Sequence, residues 1–410
     1  MRTKANKMHI NILGVNHSTT PIEVREKLAV SNNQITNALK MLRNYTEQGL
    51  ILSTCNRTEV YSITTTTHDS GANGLEFFKN WAKIPDVSLA PYLYHYENED
   101  SAEHLFRVAS GLDSMIIGEF EILGQIKQGL EEAEKAGMVK QPLRNLFHHA
   151  LQVGRRVRDE TGISKNALSV SSVAVHMAEK AIRNLSQCKA LVIGTGEAGR
   201  LVAKALKEKG VSKTITTSRS QDNASALAAA LGGHAINISH LSTELTKCDI
   251  VISCTGAPHT ILDFQTLETA MESRTNLPLV IIDIAVPRDV EPEAKRINNV
   301  FLYDIDDLTH VSDMNRRQRE REIRNAMKII ESEMNRFIDW WQTTEAKPAI
   351  SKLTKKAEDI RRTQLERTLK KLRGLSPEER ESIEVMTKAI VQKILHDPIY
   401  WLKSNSMAIQ

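Results

Sequence analysis

Cysteine is scarce in this chain. Four occur in 410 residues, at Cys55, Cys188, Cys248 and Cys254, and no two are spaced as a Cys-x-x-Cys pair. That excludes a zinc ribbon or a disulfide framework as the organising device, and no metal site is expected. It fits a reducing, cytoplasmic setting. Long apolar runs are also missing: none approaches the ~18 residues that a membrane span needs. Residues 1–7 are basic, but no secretory apolar stretch follows them. Translation from Met8 would make those seven residues a dispensable tail. The net charge is only +4, so local basic patches permit a nucleic-acid partner without demanding one. There is no internal repeat and no low-complexity segment. What is present is 41% hydrophobic content, enough for the packed cores of two or three domains.

Three regions follow from the patterning. Residues 1–160 read as a mixed α/β domain, with strands over 10–15, 50–53 and 60–64. Helices are expected over 31–43 (Ser31 as N-cap), 102–109, 121–137 and 143–160. Residues 64–74 look like a surface loop. A break at 161–164 opens a second region, 161–305. Strands over 190–193, 214–217, 250–254, 279–284 and 300–303 alternate there with helical stretches, which predicts a parallel, doubly wound sheet. Residues 306–410 are helical and charge-rich, with helices over 308–341 and 351–373. Gly374 stops the second, and Ser376-Pro377-Glu378-Glu379 starts a third in capping-box register. Ile323, Met327, Ile330, Met334, Phe337 and Trp341 recur by four and three, a short heptad seam. This tail is too small for a sizeable core of its own, so its apolar stripes are expected to bury against a second copy.

Cys55 is the most informative residue. In Gly49-Leu50-Ile51-Leu52-Ser53-Thr54-Cys55-Asn56-Arg57-Thr58-Glu59-Val60-Tyr61 an apolar run turns abruptly polar. The thiol therefore falls where a strand ends, a place where loops often carry chemistry. Arg57, two residues on, is expected to favour the thiolate. Downstream, Gly194-Thr195-Gly196-Glu197-Ala198-Gly199 follows a strand and leads a helix, the context a dinucleotide-binding GxGxxG requires. The next strand ends in Thr217-Ser218-Arg219-Ser220, with no acid to hold ribose hydroxyls. Hydroxyls and a guanidinium there favour NADP(H) over NAD. Cys254 closes a later strand and could border the nicotinamide half, although Cys248 and Cys254 read first as inert core residues.

Taken together, these segments resemble the glutamyl-tRNA reductase family. The resemblance is carried by the Cys55 segment, by His104 to Glu119 (HLFRVASGLDSMIIGE), by Gly124-Gln125-Ile126-Lys127, by Gly154-Arg155-Arg156-Val157-Arg158 and by Asp283-Ile284-Ala285-Val286-Pro287-Arg288-Asp289. It covers nearly the whole chain. It implies an N-terminal α/β catalytic domain, a Rossmann-like NADP-binding domain and a C-terminal helical dimerisation domain. The implied activity is reduction of glutamyl-tRNA(Glu) to glutamate-1-semialdehyde with NADPH, at the entry to tetrapyrrole synthesis. Cys55 matches the family nucleophile and His104 a histidine important for activity. Thr54, Asn56, Arg57, Ser114, Glu119 and Gln125 match substrate-binding positions, with Arg57 suited to a free carboxylate. Residues 194–199 with Ser218 and Arg219 match the NADP site. The family commonly has Pro-Gln where this chain has Phe120-Glu121, also assigned to substrate binding. A homodimer is implied, and docking of an aminomutase that would take up the aldehyde is expected.

Other readings of the same residues stay open. His104 alone would be an N-terminal helix residue with a structural bond, Glu119 a first-turn acid favoured by the dipole, and Ser114 a turn residue. Arg155, Arg156 and Arg158, and the cluster Arg316, Arg317, Arg319, Arg321 and Arg324, read as solvated helix faces or as phosphate contacts for tRNA. The rival functions are an NADP-dependent dehydrogenase of a small free acid, akin to shikimate dehydrogenase, and a dimeric, NADP-sensing RNA-binding regulator.

Overall fold

The computed structural model describes residues 8–64, 70–83, 89–165, 169–182, 184–211, 213–274, 277–308, 319–372 and 374–404. Arg316 and Arg317, and residues 65–69 of the expected loop, lie outside the described residues. Two compact units form, one over His9–Glu331 and one built from Ser332–Gln410.

The first unit begins with a four-stranded antiparallel sheet. It contains β1 (His9–Asn16), β2 (Gly49–Ser53), β3 (Arg57–Thr64) and β4 (Tyr94–Glu97), in the order β2-β3-β1-β4. Strand β4 carries no apolar run, only Tyr94-His95-Tyr96-Glu97, and was not expected. Around the sheet lie α1 (Ile22–Leu28), α2 (Ile35–Leu42), α3 (Ser70–Ala82), α4 (Asn98–Ala109), α5 (Glu121–Lys135) and α6 (Gln141–Glu160). Helix α2 starts four residues after Ser31. The Ser31 hydroxyl instead bonds Gln34 at 2.9 Å, closing a turn before the helix, and the N-cap is Gln34. Helix α4 begins at Asn98, so His104 sits in its middle and does not open it. Helices α4 and α6 approach closely because Gly154 has no side chain. A Cβ there would stand 2.4 Å from the carbonyl oxygen of Ala109.

The second sheet is six-stranded and wholly parallel: β5 (Lys189–Ile193), β6 (Lys213–Thr217), β7 (His234–Ala235), β8 (Ile250–Ser253), β9 (Leu279–Asp283) and β10 (Val300–Asp304). Its order, β10-β9-β8-β5-β6-β7, is the 3-2-1-4-5-6 order of a dinucleotide-binding fold read from the other edge. Successive residues go to opposite faces, and both faces are covered. Ala190, Val192, Ile250, Ile252, Val280 and Ile282 join one apolar core. Leu191, Ile193, Val251, Leu279 and Ile281 join the other. That is why these strands are continuous apolar runs. Ile22, Met115 and Ile116 from the first region enter the former core, and Cys55 packs against it.

In the C-terminal region the expected break between two helices is absent. One helix runs over Glu320–Lys371, passing through Pro348, and a second over Pro377–Ser404. A single missing N–H does not end a helix of 52 residues whose neighbouring turns remain bonded. The second begins as its sequence demands: the Ser376 N–H donates to the Glu379 carboxylate at 2.8 Å, and the Glu379 N–H donates to the Ser376 hydroxyl at 3.2 Å. Ile330, Met334, Phe337 and Trp341 of the seam are already buried within the single chain. The exposed apolar residues lie further on, at Val385, Met386, Ile390, Ile394, Tyr400 and Trp401. Among the described residues no helix is long and apolar enough to cross a membrane.

Candidate active site

The hairpin β2–β3 builds the Cys55 turn. The Thr54 hydroxyl accepts from the Asn56 N–H at 3.1 Å and the Arg57 N–H at 3.2 Å, while the Thr54 N–H donates to the Arg57 carbonyl at 2.8 Å. Ser53 anchors the base, accepting from the Val30 N–H at 2.9 Å. Arg25 holds the tip. Its Nη1 donates to the Cys55 carbonyl at 2.9 Å, its Nε to the Thr20 carbonyl at 3.1 Å, and its Nη2 pairs with Asp306 beyond β10. The cation beside Cys55 is therefore Arg25, and the expectation that Arg57 activates the thiol fails. Arg57 is 1% exposed, donating to Glu59 at 3.0 Å and to the Asp113 carbonyl at 2.5 Å. Its fork is spent inside the domain, where its charge reaches Asp113 and Glu119.

Glu59 is the centre of that buried network, and sequence reasoning passed over it. Its carboxylate accepts from Arg57, from the Tyr61 and Tyr94 hydroxyls, and bonds His104 Nε2 at 2.8 Å. Burial alone would raise its pKa, but Arg57 and His104 outweigh burial and hold it well below the carboxylate range. The signal was present: an acid in mid-strand among apolar residues must find a cation or lose its charge. His104, 7% exposed, stacks on Tyr96 at 4.8 Å. It lines a cleft of about 480 Å³ with His17, Asp113 and Ser114. Burial, then the nearby Arg57 and Arg25 charges, push the pKa of His17 down to about 4.

Cys55 opens elsewhere, onto a cavity of about 440 Å³. Thr54, Glu121 and Gln125 share it, with Gly196, Glu197, Ala198 and Arg219 of the glycine loop and second strand. The structure thus brings the thiol and the expected nucleotide site together. It does not bring His104 and Ser114 into that cavity. Asn56 is buried under the turn and Glu119 behind it, while Phe120 points outward beneath the Arg158 guanidinium, 5.8 Å from its ring centre. Burial pushes the Cys55 thiol well above its ordinary range, Glu119 and Glu121 push it further, and Arg25 opposes them.

The nucleotide groove, about 620 Å³, lies at the carboxyl ends of β5 and β8, where the strand order reverses. Helix α7 (Val170–Ala181) precedes β5, and helix α8 (Glu197–Glu208) starts at Gly196 and points its N-terminal N–H groups into the groove. Gly194 has φ +113°, and a Cβ on Gly199 would stand 2.2 Å from the Gly194 carbonyl oxygen. At Gly196 a Cβ would meet nothing within 4 Å, which leaves the backbone open to an approaching pyrophosphate. Thr195, Ser218 and Arg219 line the groove. Thr217 is wholly buried, so the hydroxyls that stand in the groove beside the exposed Arg219 are those of Ser218 and Ser220. These residues fit a dinucleotide. Cys254 is buried with its thiol on the Ile193 carbonyl at 3.3 Å, yet it borders the groove.

Fold and site define a Rossmann-type oxidoreductase in which an α/β domain presents a thiol to the nucleotide site. Family models match in the same order: the glutamyl-tRNA(Glu) reductase N-terminal domain over residues 13–161, shikimate/quinate 5-dehydrogenase over 176–311, and the glutamyl-tRNA(Glu) reductase dimerisation domain over 325–408. Glutamyl-tRNA reductase of Carboxydothermus hydrogenoformans is 42% identical, covering 98% of this chain and 90% of its own length. That of Natranaerobius thermophilus is 39% identical, covering 97% and 87%. The solved glutamyl-tRNA reductase of Methanopyrus kandleri is 30% identical over 97% of this chain and 99% of its own, with a TM-score of 0.48. The chain belongs to the glutamyl-tRNA reductase family. It is an oxidoreductase with a nicotinamide-nucleotide fold and a dimerisation domain.

Proposed function

We propose that the chain reduces the glutamyl group of glutamyl-tRNA(Glu) to glutamate-1-semialdehyde with NADPH, through a thioester on Cys55, as the first step of tetrapyrrole (porphyrin and haem) synthesis by the five-carbon route. One observation carries this reading: Cys55 and the glycine loop face a single cavity. The Cys55 thiolate attacks the aminoacyl ester carbon, a C–S bond forms, and the C–O bond to the terminal ribose breaks as the ribose oxygen takes a proton. When bound, NADPH supplies the hydride that reduces the thioester. Release of the aldehyde returns the Cys55 thiolate. Val30, Ile51, Val170 and Ile284 line the same cavity with apolar surface that keeps water from the thioester.

Thr54, Glu121 and Gln125 contact the substrate beside Cys55. His104 and Ser114 act from the separate cleft that they line, and Arg57 acts as a positioning residue, through Glu59 and the Asp113 carbonyl. Asn56 and Glu119 support the turn from behind, and Phe120 with Arg158 sits at the outer rim. Ser218 and Arg219 select the 2′-phosphate. The working molecule is a homodimer, joined through the exposed apolar face of the last helix. Its reactive aldehyde product is handed to an aminomutase.

Mixing the protein with glutamyl-tRNA and NADPH and following NADPH oxidation tests this. Oxidation requires charged tRNA and disappears in Cys55→Ser. Oxidation unchanged in the variant would instead indicate a dehydrogenase of a free acid.

A further inference from the structure

Cys55 and Glu121 line one cavity, and each becomes negative when it ionises. Cys55 must ionise to attack, and Glu121 lines the same cavity at the start of α5. The Glu121 Oε1 atom is buried and has no hydrogen-bond partner among the described residues. Glu119 lies two residues before it, and Glu197 faces it from the first turn of α8. The turn presents Cys55, and Glu132 and Arg219 complete the charged lining. From α6, Arg158 spends its Nη2 on the Glu119 carbonyl at 2.7 Å and reaches the Phe120 carbonyl with Nη1 at 3.4 Å. Arg25 binds the Cys55 carbonyl and Asp306, and its charge opposes that of the acids at the thiol.

We propose that Glu121 and Cys55 share one negative charge across this cavity, so that the thiolate forms readily only while Glu121 keeps its proton. Glu121 is then a tuning residue that sets the pH at which the rise in Cys55 reactivity slows. The protonated carboxyl has the shape and donor of a carboxamide, and a neutral group costs the nearby thiolate nothing. The ionised carboxylate repels it. Burial first, then Glu119 and Glu197, push the Glu121 carboxyl up to about 7, which puts the transition inside the physiological range. Coupled groups titrate as a pair, and an interaction of about one pK unit or more separates their steps. The inference rests on the thioester reading for its importance, but its test does not.

The test is the rate of Cys55 alkylation by iodoacetamide in the full-length protein, read by mass spectrometry of the Cys55 peptide between pH 6 and 9. Cys55→Ser supplies the background. Alkylation follows the thiolate fraction. In the wild-type protein the rate rises with pH, bends near pH 7 and lags thereafter. In Glu121→Gln it matches wild type at pH 6 and continues to rise without the bend, leading by roughly tenfold at pH 8.5. Glu121→Ala, which removes the charge without supplying an amide, shows the same divergence. Profiles that run parallel in both variants would overturn the proposal. A merely structural role for Glu121 would shift the rate equally at every pH. Absence of glutamyl-tRNA-dependent NADPH oxidation alongside divergent alkylation profiles would overturn the functional reading and leave this inference standing.

Discussion

Glu59 shows how one residue is made to keep its charge. Buried at 0% exposure, it survives as a carboxylate because Arg57, His104 and two tyrosine hydroxyls meet it. Glu59→Gln leaves the buried Arg57 unpaired and costs roughly 3–5 kcal/mol. The pH dependence follows from the sign of each shift. Glu59 is depressed in the fold, so its contribution is full above the unfolded value of about 4.3 and is lost as pH falls below it. His17, lowered to about 4 by burial and two arginines, adds a loss between about pH 6.5 and 4, because the unfolded chain takes up that proton first. Glu121 works in reverse. Raised by burial and its acidic neighbours, it loses stability as pH rises from about 4.3 to about 7. Urea midpoints of wild type and Glu59→Gln between pH 3 and 6 check the first of these: the wild-type midpoint falls below about pH 4.3 and the variant's is flatter.

Packed elements set the position of the thiol more than any local preference does. The crossing of α4 and α6 depends on Gly154, where a methyl group would overlap the Ala109 carbonyl. Helix α4 carries His104 and α6 carries Arg158, so a shift at this crossing moves both sides of the site at once. Gly154→Ala is expected to cost about 1–3 kcal/mol as overpacking. Thermal unfolding measures the loss, and reduced glutamyl-tRNA turnover in the folded fraction shows the displacement. The turn at Cys55 is held in the same way: Thr54 closes it locally, while Arg25 from α1 and Asp306 after β10 decide where its tip lies.

At the scale of the whole molecule, two regions with different chemistry meet within one compact unit, and the C-terminal region carries most of the large apolar side chains left exposed among the described residues. Met386, Ile390 and Ile394 recur every four residues on the last helix and are each about half exposed or more. A face of that kind on a helix calls for a partner. The proposed dimer is tested by Ile390→Asp combined with Ile394→Asp. Sedimentation then reports a monomer, while far-UV circular dichroism stays unchanged because neither side chain is in the core. A dimer that persists in the double variant would move the interface elsewhere.

Much of this protein was legible in the chain itself. Periodicity and turn chemistry are local, so the parallel strands, the glycine loop, the capping box at Ser376 and the polar turn at Cys55 could all be read directly. Strand β4 could not, because an alternation of tyrosine, histidine and acid has no apolar run to announce it. The continuous helix through Pro348 was equally hidden, since local propensity argues for a break that the surrounding turns override. Charge was the least legible property. Two residues of separation placed Arg57 beside Cys55 in sequence, but strand alternation turned it toward Glu59, and a guanidinium thirty positions earlier, Arg25, took its place. Motifs name which groups a chain owns. Which of them share a cavity, and therefore a charge, depends on distance and burial, and those exist only once the elements are packed.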